Sequence, residues 1–127
     1  MTVVSTKCGA VAILDKASYI IVSDDGNMVA HYSQKNDRII SKEDVNVVKK
    51  FLEKNKEVFI PLNVYNGKIY ANVNKVIAVI ANDTIEFEND EYDGYNNAYI
   101  LEAEDVSKLV KAIKTFKNKA TEEDVNT

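Results

Sequence analysis

The sequence predicts an α+β domain of antiparallel β-sheet, arranged as two similar β-β-β-α halves that each end in an amphipathic helix. Three observations predict this class: short β-branched runs recur along the chain, turn dipeptides separate them, and two longer segments have a helical apolar period. The chain has 127 residues, of which 46% are hydrophobic and 28% charged. A chain of this size and composition can bury the core of one domain.

The predicted strands are short segments rich in valine, isoleucine and tyrosine. They cover residues 10–14, 18–22, 28–32, 58–60, 68–73, 75–80, 84–87 and 98–101. Three dipeptides provide the positive-φ residues that tight hairpins require, namely Asp25-Gly26, Asn66-Gly67 and Asp93-Gly94. We therefore expect the strands to pair antiparallel in the order of the sequence.

Two segments, residues 41–56 and 103–119, have the period of an amphipathic helix. Ser41 is the expected N-cap of the first, and Asp44 three residues later completes an approximate capping box. The apolar face comprises Val45, Val48, Phe51 and Leu52 in the first helix, and Val106, Leu109, Val110, Ile113 and Phe116 in the second. We expect both helices to lie on sheet.

The two halves of the chain can be laid on each other. GAVAILDKASYIIV, from Gly9, matches GKIYANVNKVIAVI, from Gly67, and the first helical segment matches the second. The sequence thus predicts a single domain over residues 1–119, with a pseudo-repeat of 9–58 and 67–119 and a flexible tail at 120–127.

The run NGKIYANVNKVIAVIANDTIEF, followed by AYILEAEDVSKLVKAI, resembles the strand-strand-strand-helix pattern of the small flagellar FlbD-type proteins. The matching positions, within residues 66–87 and 98–113, are apolar or turn residues. The resemblance implies a β-meander closed by a helix, and it implies no activity.

Cysteine content and hydropathy predict a cytoplasmic protein without a membrane partner. Cys8 is the only cysteine, so no disulfide can form within the chain. Lys7 stands where the apolar core of a signal peptide would run. The longest apolar run, residues 76–81, is far too short to span a bilayer.

The charge of the chain is unevenly distributed. Between Val76 and Ser107 there are nine acids and no base, whereas the rest of the chain carries sixteen bases and eleven acids. We call residues 83–105 the acidic stretch; its acids are Asp83, Glu86, Glu88, Asp90, Glu91, Asp93, Glu102, Glu104 and Asp105. Crowded carboxylates repel one another, so such density has a stability cost. A solvated face, and acids that complement the dipole at a helix start, are the alternatives.

The acidic stretch predicts a non-catalytic binding protein. Acids interleaved with tyrosines on a hairpin can imitate nucleic acid and occupy a basic, nucleic-acid-binding groove on a protein partner. The predicted partner-binding residues are Glu86, Glu88, Asp90, Glu91, Tyr92, Asp93 and Tyr95. Low arginine content with much lysine, asparagine and isoleucine is common among inhibitors encoded by phages and mobile elements. We therefore expect an inhibitor of that kind.

No motif predicts catalysis, a cofactor or a metal. An EF-hand register with Gly94 at position six has Ile100 at position twelve, where a bidentate glutamate is required. Phosphate-binding loops, dinucleotide motifs and paired cysteines do not occur in the sequence. Cys8 and His31 form a thiol and imidazole pair only if their strands are neighbours. We expect the protein not to be an enzyme.

Two alternatives remain open from the sequence. Lysines on the flanks of both helices can form a basic face for nucleic acid, although Arg38 is the only arginine. Unprotected sheet edges can instead pair chains into a homo-oligomer. Its inter-subunit pockets would bind a small anionic nucleotide through Tyr65, Tyr70, Lys68 and Arg38.

Overall fold

The computed structural model describes residues 1–33, 36–80, 84–88 and 102–125. These residues form an α+β fold with antiparallel sheets and two α-helices, as the sequence predicts. The strands are β1 (Val3–Ser5), β2 (Val11–Ile13), β3 (Tyr19–Ser23), β4 (Met28–Ser33), β5 (Asn36–Ile39), β6 (Phe59–Val64), β7 (Gly67–Asn72), β8 (Val76–Ile80) and β9 (Thr84–Phe87). The helices are α1 (Val45–Lys54) and α2 (Ala103–Val125).

Five strands form the central sheet in the order β5-β4-β3-β7-β6, and β1-β2 and β8-β9 form separate two-stranded sheets. Two predicted turn dipeptides connect hairpins, β3 to β4 and β6 to β7. Gly26 has φ +92° and Asn66 has φ +66°, the conformations for which these residue types are suited. Gly67 allows β7 to approach β3 closely, because a Cβ at this position would lie 2.3 Å from the Val22 carbonyl oxygen. The third dipeptide, Asp93-Gly94, lies outside the described residues.

Pairing in sequence order holds within the hairpins but not at the centre of the sheet. β3 pairs antiparallel with β7, with Ile20 opposite Tyr70 and Ile21 opposite Ile69. Strands from both halves of the chain therefore share one sheet, and the prediction of two similar β-β-β-α halves is not confirmed. The predicted strand 98–101 lies outside the described residues.

The capping box expected before α1 does not form. The Ser41 side chain makes no cap hydrogen bond at the 3-10 turn Lys42–Asp44. Asp44 instead accepts a hydrogen bond from the Ser5 backbone N–H at 2.6 Å. The Asp44 carboxylate, which the local pattern assigns to a capping box, thus connects β1 to the turn that precedes α1.

The central sheet is covered on both faces. Side chains alternate between faces along a strand, and Ile20 packs in a cluster with Phe51 of α1, whereas its neighbour Tyr19 packs in a cluster with Leu109 of α2. We call these faces the α1 face and the α2 face. The α1 face also receives Val4 and Ala12 of β1 and β2, and the α2 face receives Ile85 and Phe87 of β9.

The outer edge of β6 has partners from within the chain. The Asn63 N–H donates to Asp105 Oδ2 at 2.8 Å, and Lys108 Nζ donates to the Pro61 carbonyl oxygen at 3.0 Å. The Phe59 N–H donates to the Asn55 carbonyl oxygen at 2.9 Å. Proline has no N–H to offer at this edge. α2 and the turn after α1 therefore occupy three of the backbone groups to which an added strand would bind.

Helix α2 continues to Val125, past the domain end predicted at residue 119. Flexibility of residues 120–127 and the domain boundary stay predictions. Among the described residues, no helix combines the length and the apolar character that crossing a membrane requires.

Candidate protein-binding surface

The first part of the acidic stretch is held by β9, where buried and partly exposed side chains alternate. Ile85 and Phe87 are buried, and Glu86 and Glu88 are partly exposed. Residues two apart on a strand share a face, so both carboxylates lie on the outer side of the hairpin. The Phe87 ring packs against Tyr19 with ring centroids 5.1 Å apart. The buried side chains of β9 thus fix the strand to the core of the α2 face, and its acids lie on the opposite, outer side.

The β8-β9 pairing places Glu86 opposite Ala78, and the register shifts between Val76 and Ala78. The intervening Ile77 is 61% exposed. Bulges of this kind bend a strand and increase its twist. Glu86 forms no ion pair with any residue in the described part of the chain, so its charge is available to a partner.

Glu88 has a partner within the chain. Lys75 Nζ donates to Glu88 Oε1 at 2.9 Å, and the Glu88 backbone N–H donates to the Lys75 carbonyl oxygen at 2.8 Å. No local pattern in the sequence marks Lys75 as a partner of Glu88; the hairpin register that pairs Val76 with Phe87 brings residues 75 and 88 together. Part of the negative charge predicted for the binding surface is therefore compensated by a lysine.

The other predicted partner-binding residues, Asp90, Glu91, Tyr92, Asp93 and Tyr95, lie outside the described residues. So does the EF-hand register considered in the sequence, which includes Asn89 and Ile100. β9 and Glu88 lead directly into this segment. Within the described ranges, no group of three or more His, Cys, Asp or Glu side chains is placed to hold a metal ion.

The last three acids of the stretch are in two environments at the start of α2. Glu102 and Glu104 are exposed, whereas Asp105 is 6% exposed and accepts the hydrogen bond from Asn63. Acids in a first helical turn also complement the helix dipole. Asp105 is thus a structural residue that connects α2 to the edge of β6, and its carboxylate does not extend the surface formed by Glu86.

Cys8 and His31 have separate partners. His31 is buried on the α2 face, with Nδ1 2.5 Å from Asp37 Oδ1 and its ring stacked on Tyr19 at a centroid distance of 4.4 Å. Cys8 is exposed, and its Sγ lies 3.2 Å from Thr6 Oγ1. The hydrogen bond with Thr6 lowers the pKa of the Cys8 thiol. The described contacts do not bring the thiol and the imidazole together.

The residues predicted for the two alternative functions, nucleic-acid binding through the helix lysines and nucleotide binding in a homo-oligomer, also lie apart within the chain. α1 and α2 lie on opposite faces of the sheet, so the lysines whose side chains the structure describes do not form one basic face across both helices. Arg38 is on edge strand β5, separated from Lys68 and Tyr70 on β7 by two strands. Tyr65, in the β6-β7 turn, is 93% exposed.

No protein-family model, no curated protein and no solved structure matches this chain.

Proposed function

We propose that the protein is a non-catalytic inhibitor, encoded by a phage or mobile element and acting in the cytoplasm, that occupies a basic nucleic-acid-binding groove on a protein partner. The observation that carries the proposal is the position of Glu86. Its carboxylate lies on the outer face of a hairpin anchored by Phe87, and the strand leads directly into the tyrosine-rich part of the acidic stretch.

Electrostatics supports this function. Glu86 has no cation beside it among the described residues, and the sequence from Val76 to Ser107 contains no base. A groove of lysines and arginines would relieve the mutual repulsion of these acids and would accelerate association at low salt. Tyrosines supply large contact area at interfaces, and Tyr92 and Tyr95 follow β9 in the sequence.

The order of elements supports an internal repeat as part of this proposal. Two hairpins are followed by a helix as β1-β2, β3-β4 and α1, with the additional strand β5 before α1, and again as β6-β7, β8-β9 and α2. In this interpretation the tyrosine-rich segment elaborates the second copy, on a scaffold that both copies share. Loops added to rigid scaffolds are common carriers of binding function.

A capture experiment with a nucleic-acid competitor tests the proposal. The immobilised protein is incubated with host lysate, and the retained proteins are identified by mass spectrometry with and without excess duplex DNA. We expect the immobilised chain to retain a nucleic-acid-binding protein. Excess duplex DNA should displace this protein, and its retention should fall as the salt concentration rises. Substituting lysine for Glu86, Asp90 and Glu91 together should abolish its capture.

The matched control places the same charge change elsewhere, with lysine substituted for the exposed acids Asp24, Glu43 and Glu53. This variant should retain the partner. Equal loss in both variants would indicate a response to net charge alone, and retention by the first variant would overturn the proposal. A gel shift at low salt should show no binding of DNA or RNA to the protein itself, and a clear shift would favour direct nucleic-acid binding through the helix lysines.

A further inference from the structure

A groove lies between α1 and the central sheet, on the opposite face from β9. It has a volume of about 360 Å³, within the range of pockets that hold small ligands. Its floor is formed by Val22, Met28, Phe59, Pro61 and Tyr70 of the sheet together with Leu52 of α1. Met28, Phe59 and Leu52 are themselves buried in the core, so the floor of the groove is apolar and closely packed.

One side of α1 and the turn that follows it form the rim of the groove. Lys49, Leu52 and Glu53 follow the i, i+3, i+4 spacing of one helical face, and Lys56 lines the groove from the turn after the helix ends at Lys54. Lys49 and Lys56 are exposed and make no ion pair with another described residue. Glu53 stands between them. The rim therefore has two cations and one anion, a local charge of one positive unit.

Tyr70 adds a polar group to the floor. It is partly buried against the core on the α1 face, and its hydroxyl has no hydrogen-bond partner among the residues the structure describes. A tyrosine hydroxyl can donate to a carboxylate or a sulfonate. The apolar floor, the hydroxyl and the unpaired lysines together suit a ligand with a flat apolar body and one negative charge.

We propose that this groove binds a small aromatic monoanion, with its ring system on the apolar floor and its carboxylate or sulfonate at Lys49 or Lys56. Glu53 disfavours a dianion, because the second negative charge would lie near its carboxylate. The site is distinct from the acidic surface, since it uses the other face of the sheet and positive rather than negative side chains.

The test uses 1-anilinonaphthalene-8-sulfonate as a fluorescent probe on the folded full chain. We expect saturable binding with a stoichiometry of one, and displacement by 2-naphthoate. The neutral analogue 2-naphthamide should displace the probe about tenfold less well, because a charge-assisted hydrogen bond is lost.

Substitution of the rim lysines separates the groove from general surface charge. Lys49→Gln combined with Lys56→Gln should weaken 2-naphthoate about tenfold. Lys50→Gln combined with Lys54→Gln, on the same helix but outside the groove, should change it by less than about twofold. Glu53→Gln should strengthen binding. The substituted side chains are exposed, so each variant should fold as the wild type does. Circular dichroism verifies this.

The proposal would be overturned by the absence of saturable binding, by equal weakening from both lysine pairs, or by equal displacement by the naphthoate and the naphthamide. Val22→Phe, which fills the floor, should abolish probe binding without changing the sedimentation coefficient. If instead the chain sediments as a dimer that Val22→Phe dissociates, a second copy occupies the groove and the ligand proposal fails.

Discussion

Glu86 and Asp105 belong to the same acidic stretch, yet they occupy opposite kinds of environment. Glu86 lies on the outer side of the β8-β9 hairpin, without an ion-pair partner among the described residues. Asp105 is buried at the start of α2, where it accepts a hydrogen bond from the Asn63 N–H. Glu88 is intermediate, since it is partly exposed and paired with Lys75.

This difference shows that a high local density of acids does not by itself define a binding surface. Of these three described acids, Glu86 is available to a partner, Glu88 is paired with a lysine, and Asp105 binds a backbone group at a sheet edge. Each of the three environments predicts a different energetic response to substitution.

The largest effect is expected from the anchor of β9. Phe87→Ala should lower the free energy of unfolding by about 3–5 kcal/mol, because it leaves a cavity beside Tyr19 in the core of the α2 face. Urea denaturation measures this change. Phe87→Leu retains most of the volume and should cost less than about 1.5 kcal/mol. If Phe87→Ala lowered the free energy of unfolding only slightly, Phe87 would not be the residue that holds β9, and with it Glu86, in a fixed position.

A smaller effect is expected at the start of α2. Asp105→Ala should lower the free energy of unfolding by about 1.5–3 kcal/mol, because the Asn63 N–H at the β6 edge loses a charged acceptor. Glu104→Ala, at an exposed neighbouring position, should stay within about 0.5 kcal/mol of the wild type. Thermal unfolding compares the two. Similar values would contradict the structural role of Asp105.

The smallest effect is expected on β9 itself. Glu88→Gln removes an ion pair whose members are both partly exposed, so it should cost at most about 1 kcal/mol, less at high salt. Glu86→Gln should not lower stability at any salt concentration, because it removes no ion pair and only relieves repulsion between acids. Chemical denaturation with and without added salt measures both. A salt-dependent loss in Glu86→Gln would reveal a cation near that carboxylate and would weaken the binding proposal.

Local chemistry made the hairpins predictable. Gly26 and Asn66 stand where the backbone adopts positive φ, and the apolar periods of both helices are independent of distant residues. β5 was missed because Asn36, Asp37 and Arg38 have no strand pattern, and this segment is a strand through its pairing with β4. β1 was also missed, since a strand of three residues is too short to establish a pattern.

The candidate site was predictable to a lesser extent. The alternation of Ile85, Glu86, Phe87 and Glu88 is visible in the sequence, and it correctly separates buried from exposed side chains in β9. The role of Asp105 was not predictable, because its partner Asn63 is distant in the sequence and belongs to a different element. The groove beside α1 was likewise missed, since it requires four strands and a helix to come together.

The sequence by itself determined the fold class, the turns at Asp25-Gly26 and Asn66-Gly67, the amphipathic helices and the uneven distribution of charge, because these depend on composition, periodicity and the backbone preferences of single residues. Only the tertiary structure decided that β3 pairs with β7, that the helices lie on opposite faces, and which of the described acids, such as Glu88 and Asp105, have a partner. The physical reason is that such pairings are selected by the burial of side chains from distant segments and by the satisfaction of backbone hydrogen bonds, which no local pattern records.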